Sequence, residues 1–154
     1  MIDIKRILVG TDFSSRAHLA LRYGAEFAKV FQAELLLCHI LEPIDLLGTL
    51  PPVGESYIPA NLPQLQEQQA KSQCEKLLAE IQVPKSRMIL VHGSPFAELI
   101  RAARTENADL LILGTHGRGA IAHLLLGSVA ERVVRSAPCP VLTVREGEHD
   151  FVQP

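Results

Sequence analysis

Five short apolar runs cross this sequence, at residues 6–10, 34–41, 87–91, 110–113 and 141–144, and none of them alternates polar with apolar residues. A strand with one wet face reads as strict alternation. A strand covered on both faces reads as a continuous apolar run. The pattern therefore predicts a parallel sheet with helices on each side, and helix-period segments do lie between the runs. Ala17, Ala20, Leu21, Gly24, Phe27, Ala28 and Phe31 form one stripe, with Arg16, Arg22, Glu26 and Lys29 mostly off it. Phe96, Leu99, Ile100 and Ala103 form a second, opened by Ser94 with Pro95 at the first helical position. Ala130, Val133, Val134 and Ala137 form a third, and residues 64–81 are helix-rich in composition but less sharply periodic. Strands alternating with helices imply right-handed crossovers and an open, doubly wound α/β sheet.

The 154 residues read as one domain, 1–154, long enough to bury roughly 70% of the unfolded surface. Fifteen basic residues against 17 acidic ones, with no long basic run, argue against a nucleic-acid partner. The apolar run after residues 1–6 is too short for a signal-peptide core, and no stretch approaches the ~20 apolar residues of a membrane span. Cys38, Cys74 and Cys139 form no CxxC pair and cannot all pair within one chain, which fits a reducing cytoplasm. One segment breaks the economy of the pattern. Residues 43–63 hold five prolines and two glycines between the second strand and second helix, and read either as a functional flap or as a tolerated surface insertion.

The run at 110–113 leads into a glycine-spaced segment, Gly114-Thr115-His116-Gly117-Arg118, and nine residues separate Gly117 from Gly127-Ser128. An amphipathic stretch begins at Val129. Strand, glycine loop and helix start in that order let backbone N–H groups approach an anion, because glycine has no Cβ to stand in the way. The segment is not a Walker A loop, since no Gly-Lys-Ser/Thr stands at the required spacing. Ser128-Val129-Ala130-Glu131 also reads as a capping box, with Ser128 as the N-cap.

The opening Ile7-Leu8-Val9-Gly10-Thr11-Asp12-Phe13-Ser14 ends a strand in an aspartate. Together with Gly114-x-x-Gly117, the nine-residue interval and Gly127-Ser128, and with the closing Ala137-Pro138-Cys139-Pro140-Val141-Leu142, it resembles the universal stress protein family. The likeness runs from Lys5 to Arg145. The glycine motif is similar to that of the family's ATP-binding branch. The resemblance implies a five-stranded parallel sheet of order 3-2-1-4-5 and a homodimer joined through the last strand, Val141–Val144. It implies ATP as ligand, with Mg²⁺ held through the phosphates. Asp12 would hold the nucleoside end and Ile40 would line the adenine pocket. Leu113, Gly114, Gly117 and Arg118, with Gly127, Ser128 and Val129, would surround the phosphates. Gly10, Thr11 and His116 complete the implied contact set. The tail 146–154 lies beyond the family pattern.

The residues support this placement independently. In that strand order the winding reverses between strands 1 and 4, and ligands sit in the crevice beyond the carboxyl ends of strands at such a switch point. Other readings remain open. Asp12 is also a competent helix cap, although Ser14 is an equally good one. His39 and His92, near the ends of strands 2 and 3, lack further ligands at zinc spacing and read as satisfied or rim histidines. Cys38 reads as core packing. No Asp or Glu lies between Thr115 and Ser128, so the leading reading is a non-catalytic nucleotide-dependent regulatory switch. The alternatives are a slow ATP hydrolase or other nucleotide-dependent enzyme, and a dimerisation module with a vestigial pocket.

Overall fold

Leu8 of the first strand is flanked by Leu36 on one side and Leu111 on the other, and all three side chains are fully buried. This central position of the first strand sets the whole architecture. The structure is a computed structural model, and it describes residues 2–43, 61–115 and 127–145. The strands β1 (Arg6–Thr11), β2 (Glu34–Leu41), β3 (Ser86–His92), β4 (Leu110–Gly114) and β5 (Val141–Val144) form one parallel sheet in the order β3-β2-β1-β4-β5. The expected fold class and strand order are both observed.

Helices α1 (Ser15–Phe31) and α2 (Leu62–Ile81) cover one face, where Ile7, Val9, Leu35, Leu37 and Ile112 pack with Ala20, Leu21, Ala25 and Cys74. Helices α3 (Pro95–Thr105) and α4 (Ser128–Ser136) cover the other, where Leu8, Leu36, Cys38, Leu111 and Leu113 meet Leu99, Ile100, Ala103 and Val133. Each large side chain so enclosed contributes about 1.5–3 kcal/mol relative to exposure. Arg132 of α4 lies 4.0 Å above the Phe96 ring of α3 and ties that pair of helices together. The continuous apolar pattern holds best for the inner strands. The edge strands β3 and β5 are mostly half-buried, because among the described residues each has a neighbouring strand on one side only.

Two expectations need correction. Phe31 and Val134 lie on their apolar stripes yet are 43% and 48% exposed, and each sits in the last turn of its helix. The helix after the proline-rich segment begins at Leu62, with Pro63 in its first turn, so residues 62–63 belong to α2. Proline suits a first turn because its missing N–H has no intrahelical partner there. Residues 44–60 of that segment lie outside the described residues.

Candidate functional site

The carboxyl end of β1 turns into α1 through Asp12, Phe13 and Ser14. Ser14 is the N-cap of α1, and its hydroxyl accepts from the Ala17 amide at 3.2 Å. Asp12 does not cap the helix. Its Oδ1 accepts from the Ser14 amide at 3.0 Å, which holds the carboxylate against the turn. Buried Thr11 accepts from the Phe13 amide through Oγ1 at 3.1 Å. Phe13 has φ of 64°, the left-handed region, which costs a non-glycine residue roughly 1–2 kcal/mol. Opposite Thr11 in the ladder stands His39, whose Nδ1 donates to the Thr11 carbonyl at 2.8 Å. The His39 and Phe13 rings lie against each other with centroids 4.2 Å apart, tilted by 36°. His39 is therefore a satisfied histidine, while His92 on β3 is exposed and faces Glu67 of α2.

The carboxyl end of β4 lies beside that turn, since Val9 and Ile112 are paired and adjacent strands run ~4.8 Å apart. Here the glycines have packing reasons of their own. A Cβ on Gly114 would stand 3.0–3.1 Å from the Arg16 backbone and Cβ, so the first turn of α1 presses directly on it. A Cβ on Gly10 would stand 2.5 Å from Leu113 and 3.1 Å from Leu99, inside the core under α3. Thr115 is 4% exposed. Its amide donates to Val144 at 2.9 Å and its carbonyl accepts from the Gly127 amide at 2.6 Å.

The capping-box reading of Ser128 is not observed. Gly127 is the N-cap and Ser128 the first helical residue, with no side-chain cap. The Glu131 amide, which a Ser128 cap would need, donates to the Gly127 carbonyl in an ordinary helical bond at 2.9 Å. The first-turn N–H groups of α4 have no partner within the helix, and they begin beside Thr115. Val129 is half-buried against the α3–α4 face. Ile40 is buried among the residues of that same face, at 8% exposed, so a ligand would meet its backbone more than its side chain. His116, Gly117 and Arg118 lie outside the described residues.

The charged residues of the described sheet ends concentrate at the opposite, amino-terminal rim. Arg87 bridges Glu34 and Glu106, Arg6 reaches the Glu106 carbonyl, and Asp109 accepts from the amides of Lys5 and Arg6. Burial pushes the Cys38 thiol up to about 12 and the Cys74 thiol up to about 11, as befits packing groups and not nucleophiles.

The family profile of the universal stress proteins matches residues 3–145. The chain belongs to the universal stress protein family. A universal stress protein of Thermus aquaticus is 37% identical over 142 residues, spanning 92% of this chain and 98% of the relative. The solved structure of protein MJ0577 superposes with a TM-score of 0.80 at 30% identity, covering 96% of this chain and all of that one; a curated universal stress protein of that name comes from Methanocaldococcus jannaschii. A third universal stress protein, solved in complex with cAMP, is 25% identical with a TM-score of 0.62, over 92% of this chain and 97% of its own. Within the family frame, the Phe13–His39 contact is the feature that the sequence pattern missed.

Proposed function

We propose that this universal stress protein binds an adenine nucleotide, ATP in the first instance, in the crevice beyond the carboxyl ends of β1 and β4. One observation carries the reading. Asp12 and the N-terminus of α4 lie at the same end of adjacent parallel strands, where the winding of the sheet reverses. A carboxylate suits ribose hydroxyls, and an uncapped helix N-terminus suits phosphate through its N–H groups and dipole. The glycine spacing from Gly114 through Gly117 to Gly127-Ser128 adds to it, with Arg118 as the neutralising cation and Mg²⁺ carried on the phosphate oxygens. The cAMP complex of a relative points to the same class of ligand.

In this reading nucleotide occupancy regulates the interactions of the protein in stress response. Phosphoryl transfer needs a group that positions water or accepts a proton beside the γ-phosphate, and no carboxylate lies between Thr115 and Ser128. The protomers pair through the outer edge of β5, since an edge strand offers unpaired backbone groups. Three unpaired cysteines support a reducing, cytoplasmic setting, and no helix among the described residues is long and apolar enough to cross a membrane. The test is thermal denaturation with and without Mg-ATP. At ~100 times Kd the ligand stabilises the fold by about 2.7 kcal/mol. An unshifted melting temperature at millimolar Mg-ATP, in protein shown to be free of nucleotide, would remove the reading.

A further inference from the structure

We infer that Phe13 and His39 are positioning residues that aim the Asp12 carboxylate at the nucleoside, an inference that rests on the nucleotide reading of the crevice. Among the described residues four non-glycine residues have positive φ. Gln32 and Gln82 are helix C-caps and Asn107 follows the C-cap of α3, where a left-handed residue is the ordinary way to end a helix. Phe13 is different. It stands between a strand and a helix, directly after Asp12, and it is an aromatic residue in a conformation that glycine or asparagine would take at less cost.

Three interactions hold it there, and they close on one another. The Phe13 amide donates to Thr11 Oγ1, His39 Nδ1 donates to the Thr11 carbonyl, and the two rings pack in tilted contact. A carbonyl only accepts, so Nδ1 carries the hydrogen and the imidazole orientation is fixed. Asp12 sits inside this brace. Both its neighbours are anchored to β2, and its Oδ1 is held by the Ser14 amide. With the backbone pinned on either side, the carboxylate keeps one direction before any ligand arrives. Strain held by surrounding contacts at a ligand site is a recognised form of preorganisation.

The test uses the full chain and two readouts. The first is hydrogen exchange of the Ser14 amide, which reports the Asp12–Ser14 bond without a ligand, referenced to the Leu37 amide in the sheet centre. The second is calorimetric titration with adenosine and with inorganic tripolyphosphate. Phe13→Ala should speed Ser14 exchange to the rate seen in Asp12→Ala. It should also weaken adenosine about tenfold, the scale of one lost hydrogen bond to a charged group, and leave tripolyphosphate unchanged. Phe13→Tyr, which keeps the ring, should restore both values. In an Asp12→Ala background Phe13→Ala should have no further effect on adenosine. Should Phe13→Ala fail to fold, Phe13→Leu keeps apolar bulk without the ring and gives the same reading. Unchanged Ser14 exchange in a folded ring-deleted variant overturns the brace while leaving the crevice reading intact. An unmodified chain that binds neither adenosine nor ATP overturns the crevice reading and the nucleoside role with it, even where Ser14 exchange responds.

Discussion

The amide of Gly127 donates to the carbonyl of Thr115 across 2.6 Å, and the amide of Thr115 donates onward to Val144. This pair ties the start of α4 to the end of β4 through neighbouring backbone groups. Gly127 itself has φ of −70° and ψ of 155°, a conformation open to any residue. Its importance for a ligand would therefore lie in bulk and not in backbone strain. Gly127→Val should keep the far-UV circular dichroism nearly unchanged, at a cost to the helix cap of about 1 kcal/mol, while abolishing ATP binding by filling the space above the α4 amides. Calorimetric titration decides it, and full affinity in the folded variant would sink the phosphate cradle.

Phosphate and nucleoside ends should separate by mutation. Arg118→Ala should weaken ATP by about 1.5–3 kcal/mol with little effect on adenosine, because a charge-assisted contact to phosphate is lost. Asp12→Ala should weaken both ligands. Equal losses for ATP and adenosine in Arg118→Ala would place that arginine away from the phosphates.

A dimer through β5 is best tested on its backbone. Val144 is 6% exposed within its own protomer, so a charge placed there would damage the core as well as any interface. The carbonyls of Pro140 and Val144 face β4, and backbone groups of alternate residues point to opposite sides of a strand. The Thr143 amide thus faces the outer edge. Thr143→Pro removes that donor and leaves the β4 ladder intact, which edge strands tolerate. The expected outcome is a dimer for the unmodified chain and a folded monomer for the variant by light scattering. A monomeric unmodified chain at micromolar concentration would end the proposal.

The buried thiols give a pH dependence with a definite sign. Both start from an ordinary value of 9.0, and burial raises Cys38 to about 12 and Cys74 to about 11. The unfolded chain therefore loses these protons first as pH rises. Stability from keeping the thiols neutral is complete below about pH 9 and is lost progressively between about 9 and 12. Urea midpoints should fall across that window and more shallowly in a Cys38→Ala, Cys74→Ala double variant compared with its own value at pH 7. Parallel declines in the two proteins would contradict the assignment.

Much of the fold was legible because its strands are covered on both faces. Residues 110–113 read as a strand covered on both faces and form β4, and Ser94-Pro95 announced a helix start that the structure keeps. Helix ends were harder. Gln32 and Gln82 turn left-handed to close α1 and α2 with no glycine to announce it. At Ser128 the sequence read as a capping box, and the backbone caps the helix with Gly127, one residue earlier. The site was legible as a set of motifs but not as a geometry. Gly10 and Gly114 also have a packing role that the motifs did not show, since their missing side chains make room for Leu113 and for the backbone of Arg16. Such contacts join residues far apart in sequence, and no local pattern records them.

The central placement of β1 also has a consequence for how the chain is made. During synthesis β1 gains β2 as its neighbour early, but its other edge, where Ile7, Leu8 and Val9 meet Leu110, Leu111 and Ile112, stays open until β3 and two further helices have been made. Unpaired apolar edges invite wrong partners. Nascent chains halted before Leu110 should be the aggregation-prone species of this protein, and the same vulnerability returns whenever β4 detaches from the finished molecule.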